Sequence, residues 1–166
     1  MNTNRIVTVW LVLALVFFTS GCGSESEGAA ITVYHYDDGV YRFEVDYPSE
    51  WRIMVDSPVE ATETQEASPT GGISIYPGSD LEDRIYVYGQ NGHIGTDYPG
   101  YKHEKFTTED GVSGDLFIDD ADGVVNLNLV LGTGFYGAIA NIDKDLYKQY
   151  EKQIMNILSS IELLEE

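Results

Sequence analysis

The sequence predicts an α+β fold: an antiparallel β-sheet flanked by helices and closed by a C-terminal amphipathic helix. Three observations predict it. Tyr41, Phe43, Val45 and Tyr47 alternate with Arg42, Glu44 and Asp46, the period of a half-buried strand. Short β-branched and aromatic runs then recur, separated by Asp110-Gly111, Asp122-Gly123 and Gly132-Thr133-Gly134. Only at the end does the period change: Leu146, Tyr150, Ile154, Ile157, Leu158 and Ile161 recur at helical spacing. Strands followed by one closing helix argue for an antiparallel sheet with helical cover.

The elements follow in order. Residues 1–21 carry one charge, Arg5, then an apolar run from Ile6 to Phe18 broken only by Thr8, then small residues. That run is well short of the ~20 residues that span a bilayer, and its flanks are those of a signal peptide. Residues 22–30 are small and polar and suit a flexible tether. Residues 31–166 form the single domain. Ile31 to Tyr36 reads as a strand, and Asp38-Gly39 as the turn into its partner. Pro48 ends the partner, and Trp51, Ile53 and Val55 begin another. Residues 57–72 read as a polar loop with one helical turn near 60–66. Strands are expected at 73–76 and 84–88, a glycine-rich loop at 89–100, and strands at 102–107, 112–119, 124–131 and 135–142. Asp143 is the expected N-cap of the helix, with Asp145 in its first turn.

Composition narrows the function. The 166 residues hold 28 Asp+Glu against 9 Lys+Arg, a net charge of −19. Such acidity excludes a nucleic-acid binder, because phosphate repels it. The 43% hydrophobic content excludes a disordered chain. The single cysteine, Cys22, excludes an internal disulfide framework.

Two resemblances add to this. Thr19-Ser20-Gly21-Cys22 after a short apolar run resembles a bacterial lipoprotein signal. The resemblance implies that Cys22 becomes the lipidated first residue and that the domain is extracytoplasmic, anchored to a bacterial membrane. Loss of residues 1–21 takes Arg5 with it and leaves −20. Tyr41 to Trp51, an aromatic strand followed by Tyr47-Pro48, two residues and Trp51, is similar to the opening of PsbP/Mog1-like domains. Tyr150, Ile154, Ile157, Leu158, Ser160 and Ile161 resemble that family's closing helix and Ser-containing final strand. The resemblance implies an α-β-α sandwich and no shared catalytic residues.

Chemical motifs are sparse. His35, His93 and His103 lack the spacing of a helical zinc site. His103 and Glu104 are neighbours on a strand and should face opposite ways. Asp119-Asp120-Ala121-Asp122-Gly123 places Ile118 and Leu129 where a calcium loop needs ligands, so it reads as a hairpin turn. No cofactor, metal site or catalytic set is expected. The candidate ligand loop is 89–101, with His93, Tyr98 and Tyr101 as its side chains, because glycines allow close approach and tyrosines offer flat faces. Tyr86 and Tyr88 are expected to share a strand face under the helix. Net charge alone predicts carboxyl pKa values raised by mutual repulsion.

These features describe a membrane-anchored, non-catalytic binding or interaction module. A cationic protein or a cell-wall component would be its partner. The alternative is a cell-envelope enzyme acting on wall polymers or lipids. Cys22→Ser should abolish incorporation of labelled lipid. Normal labelling of that variant would remove the lipoprotein assignment.

Overall fold

The computed structural model of the chain describes residues 29–57 and 70–164. The expected signal peptide, most of the expected tether and the helical turn expected near 60–66 lie outside the described residues. Ten strands and one helix follow in order: β1 (Ile31–Asp37), β2 (Arg42–Pro48), β3 (Arg52–Asp56), β4 (Thr70–Tyr76), β5 (Arg84–Gln90), β6 (Lys102–Thr107), β7 (Ser113–Asp119), β8 (Val124–Leu131), β9 (Tyr136–Asp143), α1 (Lys144–Ser159) and β10 (Glu162–Leu163). The class is α+β, as expected, but there are two sheets. β1-β2-β10 form one of three strands, and β3-β4-β5-β9-β8-β7-β6 form one of seven. All pairings are antiparallel.

The β1–β2 hairpin turns as its residues dictate. Asp38 Oδ1 accepts the N–H groups of Val40 and Tyr41, each at 2.8 Å, and Gly39 takes φ +85°. Between β7 and β8, Asp122 and Gly123 both have positive φ, +56° and +81°. That is the geometry an Asp-Gly pair favours in a tight hairpin.

Alternation then sorts the side chains. Tyr41, Phe43, Val45 and Tyr47 point inward from the hairpin and are buried. They meet Ile73 and Ile75 of β4, Ile85 and Val87 of β5, Leu127 and Leu129 of β8 and Ala138 and Ala140 of β9 in one core. Tyr36 stacks on Phe43 at 4.9 Å, and its hydroxyl donates to Asp38 Oδ2 and to the Asp56 carbonyl, both at 2.8 Å. The contact with the Asp56 carbonyl ties the small sheet to the end of β3.

The closing helix fits the prediction closely. Asp143 Oδ1 accepts from the Asp145 and Leu146 N–H groups at 2.9 and 3.1 Å. Ile154, Ile157 and Leu158 are buried, and Tyr150 meets Trp51 edge-on at 5.3 Å. Ile161 lies just past the helix, buried in the turn into β10. Ser160 holds that turn: its hydroxyl donates to the Ile157 carbonyl at 2.9 Å and accepts the Asp46 N–H at 2.9 Å.

Three expectations need correction. β4 begins at Thr70 and β5 runs to Gln90, so Gly71, Gly72 and Gly89 are strand residues. The reason is crowding. A Cβ at Gly89 would enter the Tyr41 ring, and one at Gly72 would enter the β5 backbone beside Tyr88. Helical cover is also one-sided. Among the described residues α1 is the one helix, and it shares the inner face of the large sheet with the β1–β2 hairpin. The second helical layer of an α-β-α sandwich is not among them.

Ile154 is fully buried between α1 and the sheet. Ile154→Ala should cost about 2–5 kcal/mol in a urea melt. An unchanged midpoint would mean that α1 does not close the core.

Candidate functional site

The outer face of the seven-stranded sheet carries neither α1 nor the hairpin. Register fixes what stands there. One row runs Met54–Ser74–Tyr86–Ile139–Asn128–Phe117 across β3 to β7. A second row holds Arg52 and Tyr76, then Arg84, Asn141, Asn126 and Asp119. A third holds Asp56, Gly72, Tyr88, Gly137 and Val130, with Asp56 Oδ2 accepting from the Ser74 hydroxyl at 3.3 Å.

Tyr86 and Tyr88 therefore share a strand face, but it is the face turned away from the helix. Ile85 and Val87 take the core side instead. The two tyrosine rings stack at 5.0 Å and 6° between planes. Burial raises both phenols, Tyr88 to about 12.

The glycine-rich loop is pinned on this face. The Gln90 N–H donates to the Phe135 carbonyl at 2.9 Å, and the Ile94 N–H to the Gly134 carbonyl at 2.7 Å. Ile94 is buried over Gly137, where a Cβ would come within 2.8 Å of its Cδ1. Tyr98 packs on Phe117 at 4.8 Å and on Tyr101 at 5.4 Å. His93 stays exposed, stacked on Phe135 at 4.6 Å with Nδ1 2.8 Å from the Thr133 carbonyl. A carbonyl only accepts, so that nitrogen carries the proton. Tyr98 and Tyr101 are thus brought together as anchors, while His93 belongs to the β8–β9 turn. The three do not converge on one ligand.

What the loop leaves open is the part of the face with polar capacity. Arg52 lies over the Tyr76 ring at 4.9 Å, and Arg84 over the Tyr86 ring at 5.8 Å. Each such contact is worth about 0.5–1 kcal/mol at an exposed position. Arg42, Lys102, Lys105, Lys144 and Lys148 each pair with a carboxylate. Among the described residues Arg52, Arg84 and Lys152 do not. Asn141 donates its amide to Asn126 Oδ1 at 2.7 Å, and Asn126 donates on to Asp119 at 3.5 Å. Ile139 and Met54 remain 39% and 49% exposed between these groups. Sequence reasoning missed this set. Its signal was present in Arg84, Tyr86 and Tyr88 at alternate positions of β5 and Asn126 and Asn128 at alternate positions of β8.

Other places are weaker. A groove of 480 Å³ between α1 and the β6–β7 edge is lined by Lys102, Lys144 and Lys148. Glu104, Asp120 and Asp145 already match those three ammonium groups. A pocket of 170 Å³ by Asp46, Glu109 and Ser160 is below the roughly 300–1,000 Å³ of small-molecule sites. His35 bonds Glu44 at 3.1 Å and His103 bonds Asp115 at 2.6 Å. His103 faces outward onto Phe117. Among the described residues no histidine reaches a hydroxyl or thiol nucleophile. No three His, Cys, Asp or Glu side chains there could hold a metal ion, and no helix among the described residues is long and apolar enough to cross a membrane.

Local contacts, not net charge, set most of the displaced carboxyl pKa values. The Gly39 N–H lowers Asp37, the Lys105 ammonium lowers Asp115 and Lys148 lowers Asp145. Burial pushes Asp38 up, yet the Tyr41 and Val40 N–H groups outweigh it and leave it low. Asp46 is raised, first by burial and then by Glu109 and Glu44. No family model and no curated protein matches the chain.

A raised folded pKa means that the native state holds the Asp46 proton more tightly than the unfolded chain does. This group therefore favours folding at low pH and opposes it as pH rises through its folded pKa. Asp46→Asn should be more stable than the parent at neutral pH, with the advantage shrinking toward about pH 4. Urea melts across that range check this. An advantage that grows on acidification would reverse the assignment.

Proposed function

We propose that the chain is a non-catalytic binding module of the cell envelope, held at a bacterial membrane through lipidated Cys22, and that it presents the outer face of its large sheet to a ligand. The single observation that carries this reading is the face itself. Among the described residues no helix covers it, and Arg52, Arg84 and Ile139 stand exposed on it with Asn128 half-buried beside a pinned loop. The sequence before Ile31 supports the anchor. The antiparallel sheet with its closing helix and the Trp51–Tyr150 contact support a PsbP/Mog1-like domain.

The surface can be tested without disturbing the core, because Ile139 is exposed and Asn128 makes no side-chain hydrogen bond among the described residues. Immobilised parent protein should retain envelope material. Ile139→Glu combined with Asn128→Ala should lose that retention at an unchanged melting midpoint. Equal retention by the variant would place the binding surface elsewhere.

A further inference from the structure

We infer that the outer sheet face takes an acidic polysaccharide, whose carboxylates fork onto Arg52 and Arg84 while its hydroxyls bond the Asn128 and Asn141 amides. This rests on the reading of that face as a binding surface and names its ligand class.

The first ground is charge. Carboxylates outnumber cations 28 to 9 in this chain, so an unpaired arginine is not the expected state. Of the three described arginines, Arg42 pairs with Asp37 at 3.3 Å, and the two without a carboxylate both stand on the outer face. Arg52 Cζ lies 4.9 Å from the centre of the Tyr76 ring, and Arg84 Cζ lies 5.8 Å from that of Tyr86. Neither guanidinium meets a carboxylate among the described residues, so its N–H groups are available to receive one with two parallel bonds. β3 and β5 flank β4, so the two forks are about 10 Å apart at the backbone, from two strand spacings of about 4.8 Å.

The second ground is the neighbouring polar row. Asn141 spends one amide N–H on Asn126, which leaves its second N–H as a donor and its carbonyl as an acceptor. The Asn128 amide can both donate and accept. A sugar hydroxyl does both at once, so a hydroxyl-rich polymer satisfies this mixture. An acidic peptide would also offer backbone N–H and C=O groups to these amides, and the poly-glutamate probe below separates it from a polysaccharide. An anionic membrane would bring a whole charged plane against a domain of net charge −20. A single polymer strand meets that field mainly within a Debye length, about 8 Å at physiological ionic strength. Ile139 and Met54 supply the apolar contact beside the forks.

The test uses the mature chain at physiological ionic strength with four probes: polygalacturonate, its fully methyl-esterified form, poly-glutamate, and vesicles rich in phosphatidylglycerol. The expected result is retention on polygalacturonate alone. Arg52→Gln and Arg84→Gln should each weaken it by about tenfold or more, the size of one charge-assisted pair. Arg84→Lys should recover only part of the loss, since lysine lacks the planar fork. Circular dichroism and the melting midpoint should match the parent throughout. Equal binding of the esterified polymer, or parent-like binding by both glutamine variants, overturns the acidic-ligand assignment. If Ile139→Glu still abolishes binding in that case, the face stands as a binding surface for another ligand. Preference for poly-glutamate or vesicles overturns the polysaccharide in favour of a peptide or membrane occupant. Binding to none of the four also overturns it.

Discussion

The packing of α1 and the β1–β2 hairpin against the same side of the seven-stranded sheet is the constraint on which the rest depends. Successive side chains of a strand point to opposite faces. Once Ile85 and Val87 are committed to the core, Arg84, Tyr86 and Tyr88 must stand on the other side. The same holds for Asn126 and Asn128 against Leu127 and Leu129 in β8. A face without a covering element has to satisfy itself. Here it does so with arginines over tyrosines, an asparagine–asparagine–aspartate chain, and a loop that seats Ile94 and Tyr98.

The electrostatics follow a similar local logic. A net charge of −19 would suggest carboxylates that repel one another and titrate high. Asp37, Asp38, Asp115 and Asp145 instead titrate low, because each receives N–H groups or an ammonium at close range. Asp46 rises because it is partly buried near Glu109 and Glu44 with no cation beside it. A hydrogen bond at about 3 Å acts inside the screening length, whereas distant surface charges are separated by more than that length and largely screened.

How much was legible depends on whether the deciding interaction is local. The β2 alternation, the Asp122-Gly123 turn and the Asp143 cap are set by neighbours within a few residues, and the sequence expresses them directly. The side of the sheet that Tyr86 and Tyr88 occupy is not local. Both faces of β5 carry large apolar atoms, so periodicity defines two faces without saying which is the core. The choice is made by partners far along the chain, Phe43 and Ile154 among them. The glycine loop misled for a related reason. Gly89 reads as a loop residue, yet it is a strand position where the Tyr41 ring approaches the backbone closely. The candidate trio His93, Tyr98 and Tyr101 was drawn from proximity in sequence, while the open groups Arg52, Arg84, Asn128 and Ile139 come from four different strands.

The same non-locality bears on the two arginines. A cation in an acidic chain finds a carboxylate by simple abundance, as Arg42 and four lysines do. Arg52 and Arg84 escape this because the residues beside them on the outer face are Tyr76, Tyr86 and Asn141, neutral groups set there by register. The contact with a tyrosine ring consumes none of either guanidinium's N–H donors. Asp119, the carboxylate of that row, is two strands beyond Asn141 and is already engaged by Asn126. The face is thereby a small region of open cationic edges on a strongly anionic domain, and the antiparallel register that buries the core on one side is what keeps those edges clear on the other.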